Sequence, residues 1–379
     1  MTLSNETNVN LPEVILKSVF ISIVMGMTIL GNTLVIACVC YFPRLHGRTN
    51  YLIVSLAVAD WLVGTTSLPM RLAQTANNDT WPFAHGVCRF WIWMDMLCSA
   101  ASIFNLTAIS VDRLVAVVDP LKYEERMRQR HVKVMIAGTW LFALICASLS
   151  LADWSVIDSK RRVRNFRKGV YNICECCVFF LPLLIVLVNY GVIFRIAMKH
   201  AHKLDLEIRS LATNYNAESR LDGNHNADDL ASKPPKSILH RCAILLRKSP
   251  RKHRQRTARF SLVKQLKATK TLAVVIGVFC VCWLPFFVIF LTFQHCGDEC
   301  FKPPRLSHSA RTVLLAIFLY ILPVVNSAAN PVIYTCFNTE FRRAFKRVLY
   351  TFLRKKGKDD IDQSSSFTAV PTSPQTGHE

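Results

Sequence analysis

Signatures of catalysis and of zinc binding are missing from the sequence. It has no HExxH and no GxSxG motif, and its 14 Cys and 11 His form no set with zinc-finger spacing. The first motif would place two His ligands on one face of a helix, and the second would expose a nucleophilic Ser on a sharp turn. These absences argue against a metalloprotease, a serine hydrolase and a zinc-finger domain.

A cleavable signal peptide is also missing. The first 14 residues have neither the basic start nor the apolar core of such a peptide. We therefore expect the first apolar segment itself to direct membrane insertion. Lys and Arg are likewise missing from the middle of every long apolar segment, so an acid buried there has no basic partner at its own depth.

What the sequence does contain is apolar residues in long blocks. The chain is 51% hydrophobic with a mean hydropathy of +0.27. A block of about 20 apolar residues is long enough to cross a bilayer as a helix. The pattern predicts an all-α membrane protein, a seven-transmembrane helix bundle, with spans at about 15–40, 49–74, 88–113, 133–152, 171–197, 266–293 and 311–336.

The positive charge is distributed as in a membrane protein. With the N-terminus outside, roughly three quarters of the 46 Lys and Arg lie on the cytoplasmic side, as the positive-inside rule requires. The basic runs 245–264 and 341–358 then face anionic lipid and a cytoplasmic partner. The net charge of +21 therefore does not indicate nucleic-acid binding. The basic loop 153–170 is an exception, because this topology places it outside.

The polar segments suggest how the chain is organised. Sequons at Asn5 and Asn78 lie on outer segments and predict glycosylation, whereas the sequon at Asn105 lies within a span and indicates helix packing. The predicted regions are an extracellular N-terminus (1–14), spans one to five (15–199), a partly disordered cytoplasmic loop (200–262), spans six and seven (263–336), an amphipathic surface helix (338–352) and a disordered tail (353–379).

Carboxylates inside the apolar blocks are the strongest functional signal. Asp95 lies in the third span, about two helical turns from both Cys88 and Ser102 and near one face with them. A charge within a membrane helix is costly unless it faces a cavity or a partner, so Asp95 is predicted to anchor a small cation. Asp60 in the second span is predicted to hold a cation or a proton.

The motifs, taken together and in order, resemble a rhodopsin-like G-protein-coupled receptor of the biogenic-amine group (dopamine, octopamine, serotonin and adrenergic receptors). The resemblance covers all seven spans and the surface helix. It is carried by Gly31-Asn32, Leu56-Ala57-Val58-Ala59-Asp60, Asp112-Arg113, Trp140, Pro182 with Tyr190, Phe279 with Cys282-Trp283-Leu284-Pro285, and Asn330-Pro331-Val332-Ile333-Tyr334.

The resemblance implies a role for each set of residues. Asp95 would pair with the ligand ammonium in a pocket completed by Met96, Ser99, Cys174, Glu175, Val178, Trp283, Phe286, Phe287, Phe290 and Tyr320. An allosteric sodium ion, with no other cofactor, would bind at Asp60, Ser102, Asn326, Ser327 and Asn330. G-protein coupling and activation would involve Asp112, Arg113, Pro120, Leu121, Tyr190 and Tyr334.

The resemblance also implies disulfides near the outer surface. Cys296 and Cys300 match a short loop disulfide of several amine receptors. The usual Cys of the second outer loop is absent from 153–170, and Cys174 is then the nearest candidate partner for Cys88.

Departures from the family pattern fall partly on the activation machinery. Leu114 replaces the usual Tyr after Asp112-Arg113, a change that is expected to affect coupling little. Gln265 stands where amine receptors often carry a Glu that locks Arg113. Because this lock is missing, the inactive state is expected to be less favoured.

Other departures fall on the ligand pocket. The serines that hold catechol hydroxyls correspond to Cys174, Glu175 and Val178. Two acids across one pocket would favour a diamine or an imidazole-type amine, unless Glu175 faces lipid headgroups or pairs with the basic loop. Val324 stands at the retinal-linking position, which excludes an opsin.

We therefore expect a plasma-membrane receptor, with its N-terminus outside, for an extracellular cationic small molecule such as a biogenic amine or diamine. Its expected partners are a heterotrimeric G protein, arrestin, a receptor kinase and membrane lipid. The alternatives are a receptor of the same fold for a peptide or lipid, a constitutively active receptor, a transporter or channel, and a membrane enzyme.

Overall fold

The structure is a computed structural model that describes residues 11–151, 176–221, 269–289, 291–292, 307, 314 and 316–351. Within these ranges every regular element is helical. Six segments are long and apolar enough to cross a bilayer: Leu11–Tyr41, Arg48–Ala76, His85–Val118, Gln129–Leu149, Cys177–Lys199 and Thr269–Ile289. A seventh helical segment, 316–337, consists of a π turn (Ala316–Ile321) followed by an α-helix of 16 residues (Leu322–Phe337). All seven coincide with predicted spans, and the all-helical membrane architecture is confirmed.

The helices are numbered in chain order. They are α1 (Leu11–Tyr41), α2 (Arg48–Leu62), α3 (Leu68–Ala76), α4 (His85–Val118), α5 (Tyr123–Arg126), α6 (Gln129–Leu151), α7 (Leu181–Leu221), α8 (Thr269–Ile289), α9 (Leu322–Phe337) and α10 (339–351). The second span is α2 and α3 together, and the third span is α4.

Three π-helical turns interrupt the described helices, and a Leu-Pro pair follows each one. The turns are Val63–Ser67, Cys176–Phe180 and Ala316–Ile321, and the pairs contain Pro69, Pro182 and Pro323. Proline has no N–H and its ring displaces the carbonyl four residues earlier, so the regular hydrogen-bond ladder cannot continue into it. A wider π turn accommodates the displaced carbonyl. In the fifth span, where a proline inside the helix predicts a kink, the structure has a π turn just before Pro182.

α4 lies at the centre of the bundle. Of its membrane-spanning window 61% is buried, against 33% in α1 and 28% in α6. It packs against α2, α6 and α7, while α1 packs against α2, α3 and α9. A side chain on α4 therefore contacts several neighbouring spans, which suits it to carry the residues of a binding site.

α1 and α9 approach closely at Gly31. A Cβ atom on this residue would lie 2.9 Å from the Pro331 ring, so only glycine fits without displacement of the ring. Next to it, Asn32 Nδ2 donates a hydrogen bond to the Ser327 carbonyl at 3.1 Å. Gly31-Asn32 therefore joins α1 to α9 by close contact and by a polar bond, as small and polar residues do between membrane helices.

α10 is held to the end of α9 by a cap and by aromatic packing. Asn338 Oδ1 accepts hydrogen bonds from the backbone N–H groups of Glu340 and Phe341 at 3.0 and 3.3 Å. The Phe341 ring is fully buried and stacks on Tyr334 at 5.5 Å. The sequence pattern predicts Leu349 on the same apolar face as Phe341, but in the structure Leu349 is 59% exposed.

The membrane-spanning segment ends at Lys199, as predicted, but the helix that contains it continues well beyond this residue. α7 ends at Leu221 because residues 200–221 are rich in helix-forming Leu, Ala, Glu and Arg and contain no Gly or Pro. The rest of the predicted loop, 222–262, lies outside the described residues, as do the first ten residues and the whole predicted tail, 353–379.

Replacing Gly31 with Ala should destabilise the bundle. The new methyl group would collide with the Pro331 ring, and overpacking of this kind costs about 1–3 kcal/mol of unfolding free energy. Gly26→Ala is the matched control, because no atom lies within 4 Å of its Cβ position, and there the gain in helix propensity should act alone. The melting temperatures of the two purified variants in detergent provide the measurement. Equal melting temperatures would contradict the close contact.

Candidate ligand-binding site

A cavity of about 350 Å³ opens between α3, α4, α8, α9 and the π turn before α7. Sequence-predicted ligand residues that line it are Asp95, Met96, Ser99, Val178, Trp283, Phe286 and Phe287. Lining residues that sequence reasoning did not assign to the site include Ser67, Arg71, Gln74, Trp91 and Phe179. Ser67 and Phe179 belong to π turns. The Leu-Pro pair after each turn was therefore the sequence feature that could have pointed to these two lining residues.

Asp95 is held from the second span. The Ser67 hydroxyl donates a hydrogen bond to Asp95 Oδ1 at 2.5 Å. Trp91 Nε1 in turn donates to the Ser67 carbonyl and hydroxyl oxygens at 3.2 and 3.3 Å. Among the described residues, no Lys or Arg forms a salt bridge with Asp95. The half-buried carboxylate is therefore oriented within the cavity without having its charge neutralised by an ion pair there.

An aromatic cluster fixes Trp91. Its ring stacks on Trp81 at 5.1 Å, and Trp81 is fully buried beside Cys88 and Ile92. The buried Trp81 ring thus supports Trp91, the residue that positions Ser67. Cys88 forms no disulfide with any described cysteine. Its predicted partner, Cys174, lies outside the described residues, so the pairing stays a prediction.

Much of the rest of the cavity wall is aromatic. The Phe287 ring lies 3.8 Å from Phe179 and 5.6 Å from Trp283, and Phe286 meets Trp283 edge to face at 5.5 Å. Trp283 Nε1 is buried and has no hydrogen-bond partner within the described structure. Ring faces attract cations, so the wall and the carboxylate favour the same kind of ligand group.

A second buried acid, Asp60, lies below the cavity floor. It is fully buried and accepts hydrogen bonds from Ser102 Oγ at 3.2 Å and from Asn330 Nδ2 at 2.7 Å. Ser327 also hydrogen-bonds with this carboxylate. The other three predicted sodium residues, Ser102, Asn326 and Ser327, line the cavity itself. The structure thus brings the predicted set together.

The oxygen atoms around Asp60 suit a sodium ion. Hard cations prefer carboxylate, hydroxyl and amide oxygens, and Asp60, Ser102 and Ser327 supply a carboxylate and two hydroxyls. No cluster of three or more His, Cys, Asp or Glu that could hold a metal occurs in the part of the chain that the structure describes. The donor set therefore fits a monovalent ion better than zinc.

A third polar centre surrounds Asp112 and Arg113. Arg113 Nε and Nη2 donate to Asp112 Oδ2 at 3.0 and 2.5 Å, and Nη2 also donates to the Thr49 hydroxyl. Thr49 donates to Asp112 Oδ2 and Tyr123 to Oδ1, both at 2.7 Å. Burial, followed by the charge of Asp112, raises the pKa of Tyr123 to about 12. The phenol therefore stays a neutral donor at physiological pH.

Arg113 also lines a cavity of about 500 Å³ at this end of the bundle. The cavity is bordered by Tyr334, Thr271 and Glu340, and Thr271 Oγ1 donates to the Phe337 carbonyl at 3.2 Å. The predicted coupling residues Pro120 and Leu121 lie nearby in the chain, half-buried and exposed respectively. Tyr190 and Tyr334 have buried hydroxyls without a hydrogen-bond partner in the described ranges.

The remaining predicted site residues lie away from the cavity, are described in part, or fall outside the described residues. Asn78 is exposed in a turn, with a φ of 57°. The backbone of Tyr320 belongs to a π turn, and its side chain is not among those described. The remaining predicted residues lie outside the described residues: Asn5, Cys174, Glu175, Phe290, Cys296 and Cys300.

Comparison with known proteins places these features in a family context. The sequence model of the family described as "7 transmembrane receptor (rhodopsin family)" matches residues 31–334. The chain is 32% identical to the 5-hydroxytryptamine receptor 1D of Oryctolagus cuniculus over 352 residues, 88% of either chain. It is 30% identical to the D(1A) dopamine receptor of Didelphis virginiana, with 88% of this chain and 73% of that one covered. It is also 32% identical to the "Probable G-protein coupled receptor No18" of Amphibalanus amphitrite, with 89% and 91% covered.

Replacing Tyr123 with Phe should weaken the Asp112 centre. The variant removes a hydrogen bond to a buried carboxylate, a change worth about 1.5–3 kcal/mol of unfolding free energy. Because the pKa is raised from 10.0 to about 12 in the folded protein, this stabilisation is present below pH 10 and is lost as the pH rises through 12.

Tyr51→Phe is the matched control, since Tyr51 is 38% exposed and its hydroxyl makes no hydrogen bond to a described residue. The melting temperature should fall for Tyr123→Phe only, and it should fall by the same amount at pH 7 and at pH 9. An unchanged melting temperature for Tyr123→Phe would contradict the role of this bond.

Proposed function

Since the chain belongs to the rhodopsin family of seven-transmembrane receptors, we propose that it recognises a small cationic amine at Asp95 and passes the signal to a heterotrimeric G protein. Family membership confirms the expectation of a multi-pass membrane receptor and excludes an enzyme, a transporter or a channel as its class. The relatives with which it aligns are named as 5-hydroxytryptamine and dopamine receptors.

The observation that carries the proposal is the environment of Asp95. Its carboxylate is held by Ser67 in a cavity with an aromatic wall, and no described basic side chain forms a salt bridge with it. An ammonium group would gain an ion pair and contact with ring faces in the same position. The volume of about 350 Å³ also suits a small molecule better than a folded peptide or a lipid chain.

Signalling would proceed by a shift of population. An agonist that binds the active arrangement better than the resting one moves the equilibrium toward it. In the structure Arg113 is held by Asp112 and Thr49, and we assign this arrangement to the resting state. Outward movement of α8, which contains Pro285, would break the bond between Thr271 and the Phe337 carbonyl. The cavity beside Arg113 would then open to the G protein.

Sodium would shift the population toward the resting arrangement, in the direction opposite to an agonist. An ion held by Asp60, Ser102 and Ser327 would hold α2, α4 and α9 in their present packing. If this packing is disfavoured when agonist binds, sodium and agonist lower each other's affinity by the same factor, because coupling between two sites is reciprocal.

The proposed placement is the plasma membrane, with the N-terminus and Asn78 outside the cell. This orientation puts the Asp95 cavity toward the extracellular side and the basic residues of α10 toward the cytoplasm. Arrestin, a receptor kinase and anionic lipid are the further partners proposed for that face. A second cationic group on the ligand, expected from Glu175, remains a prediction because this residue lies outside the described residues.

Replacing Asp95 with Asn should abolish the amine response. Loss of one charge from a buried pair typically costs 2–5 kcal/mol, so potency should fall by on the order of 100-fold or more. G-protein activation in cells exposed to a panel of monoamines, including 5-hydroxytryptamine and dopamine, provides the measurement. Asp79→Asn is the control, since Asp79 is an acid on an exposed turn outside the cavity. An Asp95→Asn receptor that responded normally to every active amine would refute the proposal.

Replacing Asp60 with Asn should remove sodium sensitivity. In the wild type, agonist affinity should fall by about fivefold or more when Na⁺ replaces K⁺ at constant ionic strength. The variant lacks the charge that binds the ion, so its affinity should be the same in both salts. Radioligand binding to membranes measures the difference. Equal sodium sensitivity in the two receptors would disprove a site at Asp60.

A further inference from the structure

The cavity described above extends from one buried acid toward the other. Asp95 lines it at one level, and Ser102, Asn326 and Ser327, which surround Asp60, line it deeper in the bundle. We propose, building on the amine function argued above, that the ligand is a linear diamine with one ammonium group at Asp95 and the other beside Asp60. The ligand class is therefore an α,ω-diamine or a polyamine, whose second ammonium occupies the position proposed for sodium.

One face of α4 connects the two levels. Asp95, Ser99 and Ser102 all line the cavity and follow one another at intervals of four and three residues, so they lie on the same face of the helix. At about 1.5 Å per residue, Ser102 lies roughly 10 Å further along the helix axis than Asp95. A single extended ligand that follows this face can therefore contact both ends of the cavity.

Hydroxyl groups lie between the deep end of the cavity and the Asp60 carboxylate. Ser102 Oγ, which lines the cavity, donates to Asp60 Oδ1 at 3.2 Å. Ser327 also lines the cavity and hydrogen-bonds with the same carboxylate. A terminal ammonium has three N–H donors, so beside these hydroxyls it can donate both to their oxygens and to the carboxylate.

Neither acid is neutralised by a basic side chain in the described ranges. The salt bridges there include neither Asp60 nor Asp95, and the groups that hydrogen-bond with the two acids are hydroxyls and an amide. A charged acid inside a membrane bundle is costly without a positive partner. A monoamine supplies a partner for one carboxylate and leaves the other to an inorganic cation, whereas a diamine supplies a partner for both.

The separation between the two levels sets the length of the ligand. An extended chain gains about 3.3–3.6 Å for every three backbone bonds, so roughly 10 Å requires about eight or nine bonds between the two nitrogen atoms. The best diamine is therefore expected to have about seven or eight carbon atoms. A shorter diamine that binds Asp95 would leave its second ammonium between the two levels, without a carboxylate.

The test compares α,ω-diamines of graded chain length with amino alcohols of the same length, which carry a hydroxyl in place of the second ammonium. Purified full-length receptor in lipid nanodiscs is titrated with each compound in a potassium buffer, and the rise in melting temperature gives the affinity. At the best length the diamine should bind the wild type roughly tenfold or more tightly than its amino alcohol, because it forms a second buried ion pair. The advantage should disappear in the shortest compounds. This comparison requires no variant.

Sodium provides an independent measurement on the same protein. If the second ammonium and Na⁺ occupy the same position, they compete directly. Replacing K⁺ with Na⁺ at constant ionic strength should therefore lower the affinity of the best diamine by a larger factor than that of its amino alcohol. An equal loss for the two compounds would show that the second ammonium binds elsewhere, and would overturn the proposal.

Variants then assign the preference to its residue. Asp60→Asn should remove both the advantage of the diamine over its amino alcohol and the dependence of that advantage on chain length. Asp95→Asn should weaken every compound. Asp79→Asn, on the exposed turn outside the cavity, should keep the ratio of the wild type. The melting temperature of each variant without ligand reports whether it folds.

The outcomes separate the diamine proposal from the amine function on which it rests. If amino alcohols bind the wild type as tightly as diamines at every length, or if Asp60→Asn keeps the full advantage of the diamine, the diamine proposal fails while Asp95-dependent binding of amines survives. If Asp95→Asn changes the binding of no compound, the amine function fails and the diamine proposal fails with it.

Discussion

Carboxylates buried inside a membrane bundle need hydrogen-bond donors at their own depth, and this constraint organises the protein. Three acids meet hydroxyl groups across the boundary between the second and third spans: Asp112 with Thr49, Asp60 with Ser102, and Asp95 with Ser67. The two spans run in opposite directions. From one contact to the next, the number of residues along the second span equals the number along the third span to within one. The three bonds therefore fix a single register between α2–α3 and α4. A shift by one turn would break all three bonds, and a hydrogen bond to a charged group is worth about 1.5–3 kcal/mol.

Much of this arrangement follows from the sequence, because its strongest signals are chemical outliers in apolar surroundings. Asp60 and Asp95 stand out for that reason, and seven apolar blocks predict the spans. Ser67, Thr49 and Tyr123 did not stand out, because a hydroxyl within or beside an apolar helix is common. Their importance depends on the register between two spans, which local patterns do not specify.

Arg71 and the π turns show a different limit of prediction from the sequence. An Arg near the end of a span is usually explained by its reach toward the membrane surface, so its place in the cavity wall became apparent only from the structure. The Leu-Pro pairs at Pro69, Pro182 and Pro323 were visible in the sequence. Proline alone predicts a disturbance of the helix, but the packing of neighbouring spans decides whether it becomes a bend or a wide turn. Two of the wide turns direct Ser67 and Phe179 into the cavity.

The stack of Tyr334 on Phe341 has a mechanical consequence. It ties the last span to a helix whose outward side carries Arg342, Arg343, Lys346 and Arg347. If Tyr334 rotates away, the pair separates and gives up about 0.5–1.5 kcal/mol. The stack therefore keeps the basic surface in place relative to the last span until a movement of that span separates the two rings.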